Sequence, residues 1–221
     1  VDLVAKWTQR GQEAVLEMAK FEVDKFKAHL RLAISRLRHV HNKTQAVSVS
    51  TRHTIADLLR AGKEDSARVK AKHVIRDDYL CEALEMLESF CEDLLRSASL
   101  IANDSLLTGG QRGECDAALL QPAQSVIYAA LRVDVPELAA VKADFAARFG
   151  EAFIQEALLN TGKHVCPRII VKLAIKMPDP QLVDKYLETI AESFDVDWKA
   201  PVPEESAQEE SAVASSSAPK R

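Results

Sequence analysis

What this sequence has little of sets the first limits. Aromatic residues make up 5% of the 221 residues, and there are seven glycines and eight prolines. So few turn formers, beside abundant Ala, Leu, Glu, Lys and Arg, exclude a fold of many short strands and favour long helices. No strand-like alternation and no internal repeat stands out. No apolar run approaches the roughly 18–20 residues that a membrane-spanning helix needs. The sequence opens on Val1 rather than Met, and no secretory signal is visible. Cys81, Cys91, Cys115 and Cys166 match no disulfide framework or metal-ligand spacing, and read as reduced thiols of a cytosolic helical protein. The formal net charge of −4 says little, because the charge is segregated along the chain.

Helical periodicity is the strongest positive signal. Phe26, Leu30, Ala33, Ile34, Leu37 and Val40 recur at steps of three and four. The pattern continues more weakly through Val47, Thr51, Ile55, Leu58 and Leu59. Gly62 then suits the position just past a helix end, and Asp65 or Ser66 can cap the next helix. A second seam follows in Leu80, Leu84, Leu87, Cys91, Leu94, Leu95, Ala98 and Ile101. The two runs predict a long antiparallel hairpin, with about 40 residues and on the order of 60 Å per arm. Residues 103–115 hold three glycines and read as a loop. Shorter helices are predicted over 117–131, 135–149, 151–159 and 167–177. A last one starts at Asp179 as N-cap with Pro180 at N1, and carries Leu182, Val183, Tyr186, Leu187, Ile190 and Phe194 as its stripe. From Ala200 the composition of Pro, Ser, Glu and Ala reads as a disordered acidic tail.

Within residues 58–95 the charge changes sign. The acidic run of Asp77, Asp78, Glu82, Glu85, Glu88, Glu92 and Asp93 follows a stretch that is mostly basic. Folding the hairpin about Gly62 puts that run opposite residues 33–49, which hold Arg36, Arg38, His39, His41 and Lys43. Exposed pairs of this kind contribute about 0–1 kcal/mol each, yet they favour one register over others. Neutralisation is incomplete: thirteen Lys and Arg lie between Lys25 and Arg76, against only Asp57, Glu64 and Asp65. The surplus falls on Lys25, Lys27 and Arg31, and on Arg52, Arg60, Lys63, Arg68, Lys70, Lys72 and Arg76. Two readings stay open, a solvated helix face or a basic flank for an anionic membrane or acidic protein. Nucleic acid fits poorly, since the basic stretch has no aromatic suited to stacking and no reading motif.

No catalytic constellation is present. Gly62-Lys63 lacks the upstream Gly and following Ser or Thr of a phosphate loop, with Asp57 and Glu64 in those places. His73 and Arg76 resemble a kinase catalytic loop in letters only. His39 and His41, two apart, point to different sides of a helix and cannot share a metal. Cys81 and Cys91 share a helix face but lie about 15 Å apart, as seam thiols. Tyr79 and Trp198 read as a core side chain and an edge side chain, with partner contact as the alternative.

Three stretches carry a family resemblance: "FKAHLRLAISRLR" (26–38), "IADLLRAGKEDSARVKAKHVIRDDYLCEALEMLESFCEDLL" (55–95) and "PQLVDKYLETIAESFDV" (180–196). In order and spacing, over about residues 21–199, they resemble the increased sodium tolerance one family, ESCRT-III-like regulators of the AAA ATPase that disassembles ESCRT-III. The turn Ala61-Gly62-Lys63-Glu64-Asp65, followed by His73 to Leu80, is the most specific part. The resemblance implies an all-α core over 21–199, a long hairpin with shorter helices packed on it. It also implies a non-enzymatic, cofactor-free protein that co-assembles with ESCRT-III subunits, regulates the ATPase, and works in the cytoplasm at endosomal membranes. The alternative is a helical adaptor that docks an acidic partner without polymerising. The helix over 180–194 is expected to close the hairpin through Leu182, Tyr186, Leu187 and Ile190. Two departures stand out. Residues 1–20 form an extra lead-in, partly amphipathic. The family's Leu-rich C-terminal docking helix has no counterpart in 201–221, which leaves truncation or docking through the core.

Overall fold

The computed structural model describes residues 21–102, 115–174 and 176–201. The predicted lead-in 1–20, the loop 103–114 and the tail beyond Pro201 lie outside the described residues. All regular structure among the described residues is helical: α1 (Val23–Arg60), α2 (Glu64–Arg96), α3 (Ala98–Ala102), α4 (Ala117–Ala129), α5 (Glu137–Phe149), α6 (Glu151–Leu159), α7 (Pro167–Lys172) and α8 (Pro180–Ser193).

The α1–α2 turn is closed by its backbone. Gly62 takes a φ of 69°, where a Cβ would be strained. Its N–H donates to the Leu59 carbonyl at 3.0 Å, and the Lys63 N–H donates to the Leu58 carbonyl at 2.9 Å. This pair of bonds is a Schellman motif, which satisfies the last carbonyls of α1. α2 starts at Glu64, earlier than expected, so Asp65 and Ser66 sit in its first turn instead of capping it. Glu64 and Asp65 there oppose the positive end of the helix dipole.

The described residues divide into two compact units, one drawn from 21–46 and 77–174, the other from 47–76 and 176–201. In the first, Phe26, Leu30, Ala33 and Leu37 of α1 meet Leu84, Leu87, Cys91 and Leu94 of α2 in one buried cluster. That cluster also takes in Leu119, Val126 and Ile127 of α4, Leu138, Val141 and Phe145 of α5, and Phe153, Ile154 and Ala157 of α6. Phe145 packs edge-on to Phe26 with ring centroids 5.3 Å apart, and Phe149 lies 4.9 Å from Phe153. Asp116 caps α4 by accepting from the Ala118 N–H at 2.8 Å. Gly150, at φ 86°, ends α5 and opens α6. The helix predicted to run to Met177 stops at Lys172, and the next starts only after Pro178 and Asp179.

The second unit joins the turn end of the hairpin to α8. Its buried apolar residues are Ile55, Ala56, Leu59, Ala67, Ala71, Val74 and Ile75 from the hairpin, and Val183, Leu187, Ile190 and Ala191 from α8. Asp179 caps α8 as predicted, its carboxylate accepting from the Gln181 N–H at 2.8 Å. Val47, placed on the seam by periodicity, is 52% exposed, and the buried residue there is Ser48.

Candidate partner-binding surface

Most of the acidic run is engaged inside the first unit. Arg38 of α1 donates from Nε to Glu88 at 2.5 Å and from Nη2 to Glu92 at 2.7 Å. His41 lies 3.1 Å from Glu85. These are the pairings the hairpin register requires. The Glu88 hydrogen bond and charge, with Glu92 in support, hold the Arg38 guanidinium above its ordinary pKa against a partial loss of solvation. Two partners differ from the simple pairing. Arg36 turns to Glu137 at the start of α5, at 3.2 Å, and Glu82 accepts from Lys172 of α7 at 2.7 Å. Lys172 also sits 4.1 Å from the centroid of Tyr79, which is half-buried. Asp93 pairs with Arg96 one turn on, and Asp77 and Asp78 are half-buried and engaged. His39 and Lys43 remain exposed.

The basic residues split into two groups. In the second unit Arg68 pairs with Asp184 of α8, and its guanidinium lies 6.0 Å from the centroid of Trp198. Arg60 donates to Asp57 at 2.9 Å and to the Phe194 carbonyl at 2.7 Å. Arg52 is half-buried and engaged. Arg68 is thus half-buried and paired within the unit, while Arg60 is paired but still exposed. Both reach α8, whose acidic and carbonyl groups arrive from more than a hundred residues away. Lys63 and Arg76 are exposed, and Lys70 and Lys72 are half-buried. In the first unit Lys25 and Arg31 are exposed, while Lys27 donates to the Ser99 hydroxyl at 3.3 Å.

Arg31 opens onto a groove between α1 and α2. Arg31, Ile34, Ser35, Arg38, Glu92, Leu95 and Arg96 line a volume of about 520 Å³. Arg38 and Arg96 are already paired with Glu88, Glu92 and Asp93, so Arg31 is the lining guanidinium with no carboxylate partner among the described residues, and it lies next to the apolar Ile34 and Leu95. Sequence reasoning named Arg31 but missed the groove. The signal was available: the register that sets Arg38 opposite Glu88 also sets Arg31 opposite Leu95 and Ile34 opposite Glu92.

On α8, Leu187 and Ile190 are buried, while Leu182 and Tyr186 are half-buried. Val183, placed on the stripe by periodicity, is buried, and Ala191, not singled out beforehand, completes it. Phe194 adds a ring contact to His53, with centroids 4.6 Å apart. Among the described residues, no group of three or more His, Cys, Asp or Glu is placed to hold a metal ion. None of their helices is long and apolar enough to cross a membrane. Cys91 is buried in the α2 seam; burial, then Glu88 and Glu92, push its thiol up to about 12. Such a thiol is a packing group and not a nucleophile.

Comparison with known proteins agrees with this architecture. Residues 27–197 match the family model for Ist1, described as a regulator of Vps4 activity in the MVB pathway. An IST1-like protein of Dictyostelium discoideum is 33% identical over 174 residues, covering 79% of this chain and 45% of its own length. The vacuolar protein sorting-associated protein IST1 of Saccharomyces cerevisiae is 34% identical over 175 residues, covering 79% of this chain and 58% of its own. The chain thus spans about half the length of these curated relatives. Among solved structures, the N-terminal domain of S. cerevisiae Ist1, crystallised with a Did2 MIM motif, superposes with a TM-score of 0.72 at 31% identity, over 82% of this chain and 98% of that one.

Proposed function

Because the chain belongs to the Ist1 family, we propose that it is a non-enzymatic partner of ESCRT-III that regulates Vps4, the AAA ATPase of the multivesicular-body pathway. In this reading residues 21–199 are the working core. They co-assemble with ESCRT-III subunits at the cytoplasmic face of endosomal membranes and set how readily Vps4 acts on the assembly. The supporting observation is the match of nearly the whole yeast Ist1 N-terminal domain, itself crystallised with a Did2 MIM motif.

The groove lined by Arg31, Arg38, Arg96, Ile34 and Leu95 is our candidate for receiving a short acidic motif from an ESCRT-III subunit. α8 keeps the turn end closed through Leu187 and Ile190, with Leu182 and Tyr186 at its margin. The remaining cations, Lys25, Lys63, Lys70, Lys72 and Arg76, supply attraction to anionic lipid, worth about 1 kcal/mol per cation near the surface.

The test is binding of a labelled MIM-motif peptide, followed by fluorescence anisotropy. Arg31→Glu with Arg96→Glu should weaken binding at least about tenfold, by charge repulsion in the groove. Unchanged affinity removes the groove from the proposal. Electron microscopy of the chain with an ESCRT-III subunit separates the alternatives: filaments or tubes support co-assembly, and binding without filaments supports a simple adaptor. Sedimentation with anionic liposomes should fall as salt rises.

A further inference from the structure

The hydrophobic seam of α1 is interrupted. Leu37 is fully buried and so is Ile55, but across residues 38–54 the only fully buried residue is Ser48. α2 carries a matching gap, since no residue from Arg76 to Glu82 is fully buried, although Ile75 and Ala83 are. The chain divides into its two units within these gaps, between Ala46 and Val47 and between Arg76 and Asp77.

At the edge of the gap, within the first unit, the contacts are polar. The Cys81 thiol donates to the His41 carbonyl at 3.9 Å, and the His41 ring meets Glu85. Ser48, Arg52, Asp77 and Asp78 are all engaged. Composition adds to the effect. Thr44, Val47, Ser48, Val49, Ser50, Thr51 and Thr54 are weak helix formers gathered into one part of the helix. The Thr51 hydroxyl donates to the Val47 carbonyl at 2.8 Å, and the Thr54 hydroxyl to the Ser50 carbonyl at 3.2 Å. Side-chain bonds of this kind compete with the backbone ladder. Val47 and Val49 are 52% and 49% exposed, so burial does not compensate for their low propensity.

We infer that residues 44–54 are a built-in weak segment of α1, which opens locally while the cores on either side stay folded. Regions with little apolar burial and a solvent-exposed backbone ladder are the ones that open at low free energy. Its use, to let the hairpin yield within an assembly without losing either core, rests on the co-assembly reading. The test does not, because it is made on the free chain.

Amide hydrogen exchange of the whole chain, read by mass spectrometry, decides it. Residues 44–54 should exchange at least about tenfold faster than residues 28–37 and 67–75. A variant carrying Thr44→Ala, Val47→Ala, Val49→Ala, Ser50→Ala and Thr54→Ala should slow exchange in that segment by about tenfold or more and leave both flanks unchanged. The substituted positions are exposed or half-buried, and Val49→Ala alone should move the rate the same way by a smaller factor. Equal protection along α1 in the original chain overturns the inference. So does a helical, folded variant whose rates in 44–54 match the original.

Discussion

The two units are held together differently. In the first, five helices besides α3 and α7 contribute apolar side chains to one cluster, and Phe26, Phe145, Phe149 and Phe153 pack ring against ring within it. In the second, the turn end of the hairpin has α8 as its one helical cover among the described residues. A core shared by many helices distributes the effect of losing one contact. A core closed by one helix does not. The comparison therefore predicts that the second unit can be opened by changes on α8 alone.

The largest effect should come from Leu187→Asp combined with Ile190→Asp, which places two charges where both side chains are now buried. Such a change should cost more than about 4 kcal/mol locally, since each carboxylate loses solvation without a partner. Hydrogen exchange should then show lost protection over residues 55–75, with residues 28–37 still protected. Phe145→Ala is the matching change in the first unit and should cost about 3–5 kcal/mol, read by urea denaturation. If the α8 variant deprotects 28–37 to the same extent, the two units unfold as one and the comparison fails.

The first unit has a flaw that sharpens the contrast. Gln124 of α4 is fully buried, yet neither its amide nitrogen nor its amide oxygen has a protein partner. An orphaned buried polar group costs about 1–3 kcal/mol. Gln124→Leu should therefore raise stability by about 1–2 kcal/mol in the same denaturation experiment. A loss of stability would instead show that an ordered water satisfies the amide.

The reach of the sequence follows from which interactions are local. The hairpin, its turn at Gly62 and the cap at Asp179 were legible because each depends on neighbours within a few residues. The pairing of Arg38 with Glu88 was legible because one turn fixes the register of both arms. Arg36 with Glu137 and Arg68 with Asp184 were not, since each depends on where a distant helix lands. The near-complete burial of α4, from Leu119 to Ile127 apart from Leu120 and Gln121, was hidden for the same reason. Its Gln124 and Ser125 read as surface residues in isolation, yet Ser125 accepts a bond from the Cys166 N–H at 2.9 Å. The groove at Arg31 follows from the same register, but a charge pattern does not show the cleft, because its walls include the apolar Ile34 and Leu95.

The smallest effect separates the two units by their ion pairs. Arg68 and Asp184 in the second unit have side chains 26% and 25% exposed, whereas Arg38 in the first is 57% exposed. Water screens the charge on Arg38, and Glu88 and Glu92 share it, so removing either acid leaves the other in place. A double-mutant cycle on Arg68→Ala and Asp184→Ala should give a coupling of about 1–2 kcal/mol, because a half-buried charge loses its partner when either is removed. The cycle on Arg38→Ala and Glu88→Ala should give a smaller coupling that fades as salt is raised to 1 M, where the screening length is about 3 Å. If the Arg68–Asp184 coupling is as small and as salt-dependent as that of Arg38 and Glu88, the pair behaves as a surface pair and contributes little to holding α8. The apolar stripe would then carry most of the closure, and the double substitution at Leu187 and Ile190 would be the change that releases it.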